Sequence, residues 1–164
     1  MKISERLNTV TRLFLDTAPV IYFVERNPTY HLLVQSVFDR IDAGALTAIT
    51  SPVTLAECLV HPYRRGLTDT AQSFIELIVA GSNTTFAPIE QETARRAAEL
   101  RARYNLALAD AFQFAVALTT ACDALLTNDA MLKRVIDLDV IVLDEIEPEA
   151  EETEKADDAP ETTK

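Results

Sequence analysis

Three glycines, two cysteines, two histidines and no tryptophan are all that 164 residues contain of those types. The scarcity of glycine excludes whole classes of chemistry. No GxGxxG, no GxxxxGK followed by Ser or Thr, and no GxSxG occurs, so a dinucleotide loop, a phosphate-cradling P-loop and a nucleophile elbow are all absent. With only His31 and His61, a Ser-His-Asp triad or a zinc site would have to be built from very little. Cys58 and Cys122 lie in apolar, helix-like surroundings and make no CxxC pair. They read as buried thiols of a reducing compartment, with a bridge between them left open. No apolar run nears the roughly 20 residues of a membrane-spanning helix; the best, Leu13 to Val24, is broken by Asp16 and Pro19. Met1 to Arg12 is polar, unlike a secretory leader. These absences predict a soluble cytoplasmic protein whose chemistry, if any, rests on carboxylates.

What is present is acid. The chain carries 26 Asp and Glu against 15 Lys and Arg, a net charge of -11. Glu145 to Lys164 alone hold nine acids and two Lys, a net of -7, which leaves -4 for the first 144 residues. Almost nothing apolar follows Ile146, so that end cannot bury enough surface to order itself. The expected organisation is one folded domain over residues 1–146 and an acidic, disordered tail over 147–164. The low isoelectric point, which would ordinarily argue against a nucleic-acid partner, is then mostly a property of the tail. Folding back over Arg64 and Arg65 is one reading of that tail; a solubilising end without further role is the other.

Within the body, short apolar runs near Arg12–Leu15, Leu46–Thr50, Thr84–Ala87, Ala124–Thr127 and Val140–Leu143 read as strands buried on both faces. Between them lie stretches with helical spacing: Leu33, Val34, Val37, Phe38 and Ile41; Phe74, Leu77 and Ile78; Phe112, Ala115, Val116 and Thr119. Ile89 to Tyr104, with Ala94, Ala97, Ala98 and Leu100 opposite paired Arg residues, is a further helix. Gly44 and Gly81 are expected to close helices. Strands alternating with helices predict an α/β fold with a mostly parallel sheet covered on both faces.

Ligands of such sheets bind beyond the carboxyl ends of the strands. The first strand ends at Asp16-Thr17 and the fourth at Asn128-Asp129. Ser51-Pro52 starts a helix that carries Glu57, and Asp110 stands at the start of the helix Ala109 to Ala121. Each acid also has a plain structural reading. Asp110 suits a helix first turn, and Asp129 an N-cap for Ala130 to Val135. Asp16 suits a cap with Pro19 just inside its helix, and Glu57 an exposed helix face. Four such acids at one edge of a sheet would be four separate coincidences. Clustered carboxylates repel and rise in pKa unless a cation joins them. Mg²⁺ or Mn²⁺ prefers oxygen ligands, and such ions support phosphodiester cleavage without His, Cys or a glycine loop.

The residues around these acids resemble those of PIN-domain proteins of the VapC toxin type. Leu15-Asp16-Thr17-Ala18-Pro19 with Val-Ile-Tyr-Phe is similar to the family's opening strand and helix. Ser51 to Val60 surrounds the helical Glu, Leu108 to Leu118 the third acid, and Cys122 to Asp129 the fourth. The likeness spans about Arg12 to Glu145, with 41, 53 and 19 positions between successive acids. It implies a PIN-like three-layer sandwich with five parallel strands in the order 3-2-1-4-5. It implies a Mg²⁺- or Mn²⁺-dependent endoribonuclease with Asp16, Glu57, Asp110 and Asp129 as catalytic and metal-holding acids, the last acting through water. Thr17 and Thr127 would supply hydroxyls behind those ligands, and Asn128 would orient the turn. Ala109 stands where many relatives have Pro, and the acidic tail is unlike a minimal toxin. The resemblance also implies an RNA substrate, a homodimer, and, for a toxin, a small antitoxin protein.

Arg64 and Arg65 are the first candidates for RNA phosphate contacts. Arg95, Arg96, Arg101 and Arg103 are a second set that reads equally well as a solvated helix face. Asp123 reads as a turn residue. A non-catalytic PIN-fold scaffold is the main rival reading, although a scaffold has no reason to keep four mutually repelling acids. A haloacid-dehalogenase-type phosphatase ranks last, because it wants a second Asp where Ala18 stands.

Overall fold

In the computed structural model, which describes residues 1–148, five short parallel strands form the middle layer. They are β1 (Arg12–Leu15), β2 (Thr47–Thr50), β3 (Thr84–Phe86), β4 (Ala124–Thr127) and β5 (Asp139–Val142), in the order β3-β2-β1-β4-β5. The expected topology is therefore the observed one. The helices are α1 (Ile3–Arg6), α2 (Thr17–Val24), α3 (His31–Asp42), α4 (Pro52–Arg65), α5 (Thr68–Ala80), α6 (Gln91–Tyr104) and α7 (Leu108–Thr119). Two short 3₁₀ turns, Ala130–Arg134 and Leu143–Glu145, flank β5. The tail expected over 147–164 falls, from residue 149 onward, outside the described residues; Glu147 bridges to Lys2.

Side chains alternate across a strand, and that alternation divides the core in two. Leu13 and Leu15 of β1 pack with Ala48, Leu126 and Ile141 against α1 to α5, through Ile3, Val20, Val37, Phe74 and Ile78. Phe14 points the other way and joins Ile49, Leu125, Val140 and Val142 under α6 and α7, through Ala97, Leu100 and Phe114. β1 pairs with β2 on one side and β4 on the other, so its end at Asp16 is central. β3 departs from the expectation of full burial: as an edge strand its residues are half-buried or exposed.

Local sequence explains where the helices start and stop. Ser51 caps α4 by accepting from the Val53 and Thr54 amides, and Pro52 follows at the position where a missing N–H costs nothing. Gly66 ends α4 in the left-handed region at φ 65°, the terminator that helix ends favour. Gly81, expected to play that part for α5, is extended instead at φ -61°. What requires glycine there is proximity, since a Cβ would sit 2.5 Å from the Leu77 carbonyl oxygen. In α7 the face inferred from Phe112, Ala115, Val116 and Thr119 is only half right. Thr119 is exposed, whereas Ala111, Gln113, Phe114 and Ala117 are buried, because α7 is enclosed nearly all round by α6 and the sheet.

Cys58 and Cys122 are free and buried, and burial, helped by the nearby Glu57 and Asp16 charges, pushes the Cys58 thiol up to about 12. The expectation for Asp123 holds. Its carboxylate accepts from the Thr11 amide, the Thr11 hydroxyl and the Arg12 amide at 2.8–2.9 Å, tying the start of β1 to the turn before β4. Among the described residues no helix is long and apolar enough to cross a membrane.

Candidate active site

Asp16 leaves β1 and caps α2, its Oδ1 accepting from the Thr17 amide at 2.7 Å. It is 9 % exposed. The same Oδ1 accepts from Gln113 Nε2 at 2.8 Å, and Oδ2 accepts from the Thr127 hydroxyl at 2.6 Å. Glu57 reaches the same place from α4, where its Oε2 accepts from the Thr17 hydroxyl at 2.5 Å and from Gln113 Nε2 at 3.1 Å. Asp110 stands in the first turn of α7 and has no hydrogen-bond partner among the described residues, so both its oxygens remain available. Asp129 follows β4, caps the 3₁₀ turn through the Met131 amide at 2.8 Å, and donates its own amide to Thr127 Oγ1 at 3.0 Å. The capping readings of Asp16 and Asp129 are thus real and coexist with their place at the sheet edge.

Electrostatics couples Asp110 to the other three acids. Burial first, then the charges of Asp16, Glu57 and Asp129, push the Asp110 carboxyl up to about 6, with Arg134 pulling weakly the other way. Asp16 is also raised. Burial is the main cause and Glu57 adds to it, against the hydrogen bonds from Thr127, the Thr17 amide and Gln113. Negative charge is therefore concentrated, and among the described residues Arg134 offsets only part of it at Asp110. Hard oxygen donors with uncompensated charge fit a divalent ion such as Mg²⁺ or Mn²⁺. Among the described residues, however, no three His, Cys, Asp or Glu side chains are already gathered in a ligating arrangement. Asp16 and Glu57 are instead engaged by hydroxyl and amide donors.

The neighbours singled out from sequence lie beside these acids. Thr17 and Thr127 donate to Glu57 and Asp16. Asn128 holds the turn after β4 by donating to the Tyr22 hydroxyl at 3.3 Å and accepting from the Asp144 amide at 2.9 Å. Arg64 and Arg65 are exposed in the last turn of α4 and do not touch the acids. Seven residues separate Glu57 from Arg64, which puts Arg64 on the same helix face about 10 Å along the axis. The second set of arginines is committed elsewhere. Arg95 and Arg96 pair with Glu92 and Glu99, Arg103 pairs with Asp137, and Arg101 donates to the Leu106 carbonyl.

Two participants were not foreseen. Gln113, 2 % exposed, contacts both Asp16 and Glu57; its signal in the sequence was a lone amide inside an apolar helix, three positions after Asp110. Arg134 is the cation whose charge acts on Asp110, and it donates to the Asn105 carbonyl at 3.2 Å. A cavity of about 520 Å³ between α2, α3 and α5, lined by Phe23, His31 and Leu77 among others, contains none of the four acids.

The family model described as PIN domain matches residues 13–138. Among solved structures, VapBC2 from Rickettsia felis, bound to a DNA fragment from its promoter, superposes with a TM-score of 0.65 at 16% identity, covering 80% of this chain and 98% of that one. A toxin–antitoxin complex from Klebsiella pneumoniae gives 0.61 at 21% identity, over 80% and 97%. Mycobacterium tuberculosis VapC20, a sarcin-ricin loop cleaving toxin, gives 0.59 at 16% identity, over 69% and 86%. None of the curated proteins matches this sequence.

Proposed function

The chain belongs to the PIN-domain family, and on that premise we propose that it is a divalent-metal-dependent endoribonuclease acting as the toxin of a toxin–antitoxin pair. One observation carries the reading. Asp16 and Asp129 stand at the ends of β1 and β4 and Asp110 in the first turn of α7, and burial, with the charges of Asp16, Glu57 and Asp129 added to it, lifts the Asp110 carboxyl to about 6.

Asp16, Glu57 and Asp110 would hold Mg²⁺ or Mn²⁺, with Asp129 at the rim, acting through water. Such an ion supplies a Lewis acid for the phosphodiester and lowers the pKa of a bound water. The chain's own residues supply placement. Thr127 and the Thr17 amide hold the Asp16 oxygens, the Thr17 hydroxyl holds Glu57, and Asn128 fixes the turn that presents Asp129. Asp110, without donors of its own, is the acid with most freedom to turn toward an incoming ion. Arg64 and Arg65 offer phosphate contacts down the Glu57 helix.

The likeness to a toxin–antitoxin complex and to VapBC2 supports a small antitoxin as partner, and a homodimer that acts on RNA in the cytoplasm completes the reading. A non-catalytic scaffold has one observation in its favour, that no three acids are already gathered for an ion among the described residues. Incubating purified protein with a mixed RNA pool separates the two. The nuclease cuts in Mg²⁺ or Mn²⁺, stops in EDTA and fails as Asp110→Asn; the scaffold leaves the pool intact in every condition.

A further inference from the structure

Gln113 occupies an unusual place for an amide. It lies in α7 between Phe112 and Phe114, and its Nε2 is 2.8 Å from Asp16 Oδ1, 3.1 Å from Glu57 Oε2 and 3.4 Å from Thr17 Oγ1. Its Oε1 accepts from the Thr54 hydroxyl at 3.2 Å, and Thr54 is itself fully buried. The amide's orientation follows from its partners, since carboxylates accept only and so must meet the NH₂. A single NH₂ group thus bridges two like-charged side chains that come from different segments of the chain.

The residue type at this position has consequences for an ion. A Lys or Arg here would cancel the charge that attracts a cation. A hydrocarbon would leave two anions facing each other with no donor between them, and Glu57, exposed on α4, would turn to water. An amide holds both carboxylates while leaving their net charge intact.

We propose that Gln113 is a positioning residue for the acidic site: its amide, aligned by Thr54, keeps Asp16 and Glu57 together as a pair ready to receive a divalent cation. This rests on the metal-dependent reading above and extends it to a residue that carries no ligand of its own.

The test compares wild type with Gln113→Met, which keeps the length and loses the donors, and with Thr54→Val, which keeps the shape and loses the hydroxyl. Mn²⁺ binding is measured by calorimetry, folding by circular dichroism and melting in EDTA, and cleavage against Mn²⁺ concentration. Gln113→Met should fold and bind Mn²⁺ about 10-fold more weakly or worse, as loss of a group that orients metal ligands does. Thr54→Val should be weakened less. Excess Mn²⁺ should restore the cleavage rate of both, with the KM for RNA unchanged, which a general loss of structure would not allow. A Gln113→Met protein that binds Mn²⁺ like wild type overturns the proposal. Should that variant not fold, wild-type affinity in Thr54→Val overturns it equally. Wild type that binds no Mn²⁺ is a different result: the metal-dependent reading then fails, and the role of Gln113 falls with it.

Discussion

The Thr127 hydroxyl donates to Asp16 Oδ2 across 2.6 Å, joining the ends of the neighbouring strands β1 and β4. The same oxygen accepts from the Asp129 amide at 3.0 Å, so one buried hydroxyl links two of the four acids. Thr127→Val should therefore lower Mn²⁺ affinity and metal-dependent cleavage by about 10-fold, and cost about 1 kcal/mol of stability through lost hydrogen bonds. Thr127→Ser should restore most of both. Cleavage rates against Mn²⁺ concentration, with urea unfolding in EDTA, check this.

Asp110 carries a stability signature that does not need a substrate. Its folded pKa is raised from 3.8 to about 6. A raised acid contributes fully below its unfolded value and loses that contribution as pH climbs through its folded value. The metal-free protein should lose stability between those two values, and Asp110→Asn should flatten that part of the profile. At pH 7 the variant should be more stable than wild type by about 1 kcal/mol, discounted because water screens the group, or about 2–4 °C in Tm. It should also be inactive. Melting in EDTA across the pH range measures both effects.

Asp123 should behave in the opposite sense. Bonds from the Arg12 and Thr11 amides and the Thr11 hydroxyl hold its carboxyl below the usual range. Its contribution is present above the unfolded value and is lost as pH falls through the lowered one. Asp123→Ala should destabilise the fold by about 1 kcal/mol and leave the metal affinity of the folded protein unchanged. Chemical unfolding alongside Mn²⁺ calorimetry distinguishes it from the site acids.

Arg64 lies on the Glu57 face of α4, and no ion pair holds it among the described residues, whereas Arg103 is bound to Asp137 at 3.1 Å. If Arg64 meets an RNA phosphate, Arg64→Ala should weaken binding of single-stranded RNA and reduce the salt slope of log affinity by about 0.7. Arg103→Ala should leave the slope alone. Binding to an uncleaved RNA in EDTA at several salt concentrations compares the two.

The places of Asp16 and Asp129 at strand ends were legible in the sequence, because a parallel sheet converts strand ends into a shared edge. Leu-Phe-Leu before Asp16 and Leu-Leu-Thr before Asn128 mark those ends without coordinates. The strand order came through the resemblance, since alternation of helices and strands alone does not choose it. Gln113 was hidden for a physical reason. A polar residue on an apolar helix reads as a tolerated exception, and its two carboxylate partners are 97 and 56 positions away in the chain. The buried face of α7 was misjudged at Thr119 because a helix enclosed on most sides has no single apolar stripe. Gly81 ends α5 without the left-handed turn expected of it, because a backbone contact with Leu77 has no trace in sequence pattern.

The most direct test of the central claim is end-group analysis of RNA cut by the purified protein in Mn²⁺, with EDTA and Asp16→Asn as controls. Cleavage by water leaves a phosphate monoester on one fragment and a free hydroxyl on the other. The account predicts those ends in Mn²⁺ alone, and none with EDTA or the variant. Cutting that survives EDTA, leaves 2′,3′-cyclic phosphates, or proceeds equally well in Asp16→Asn would contradict it.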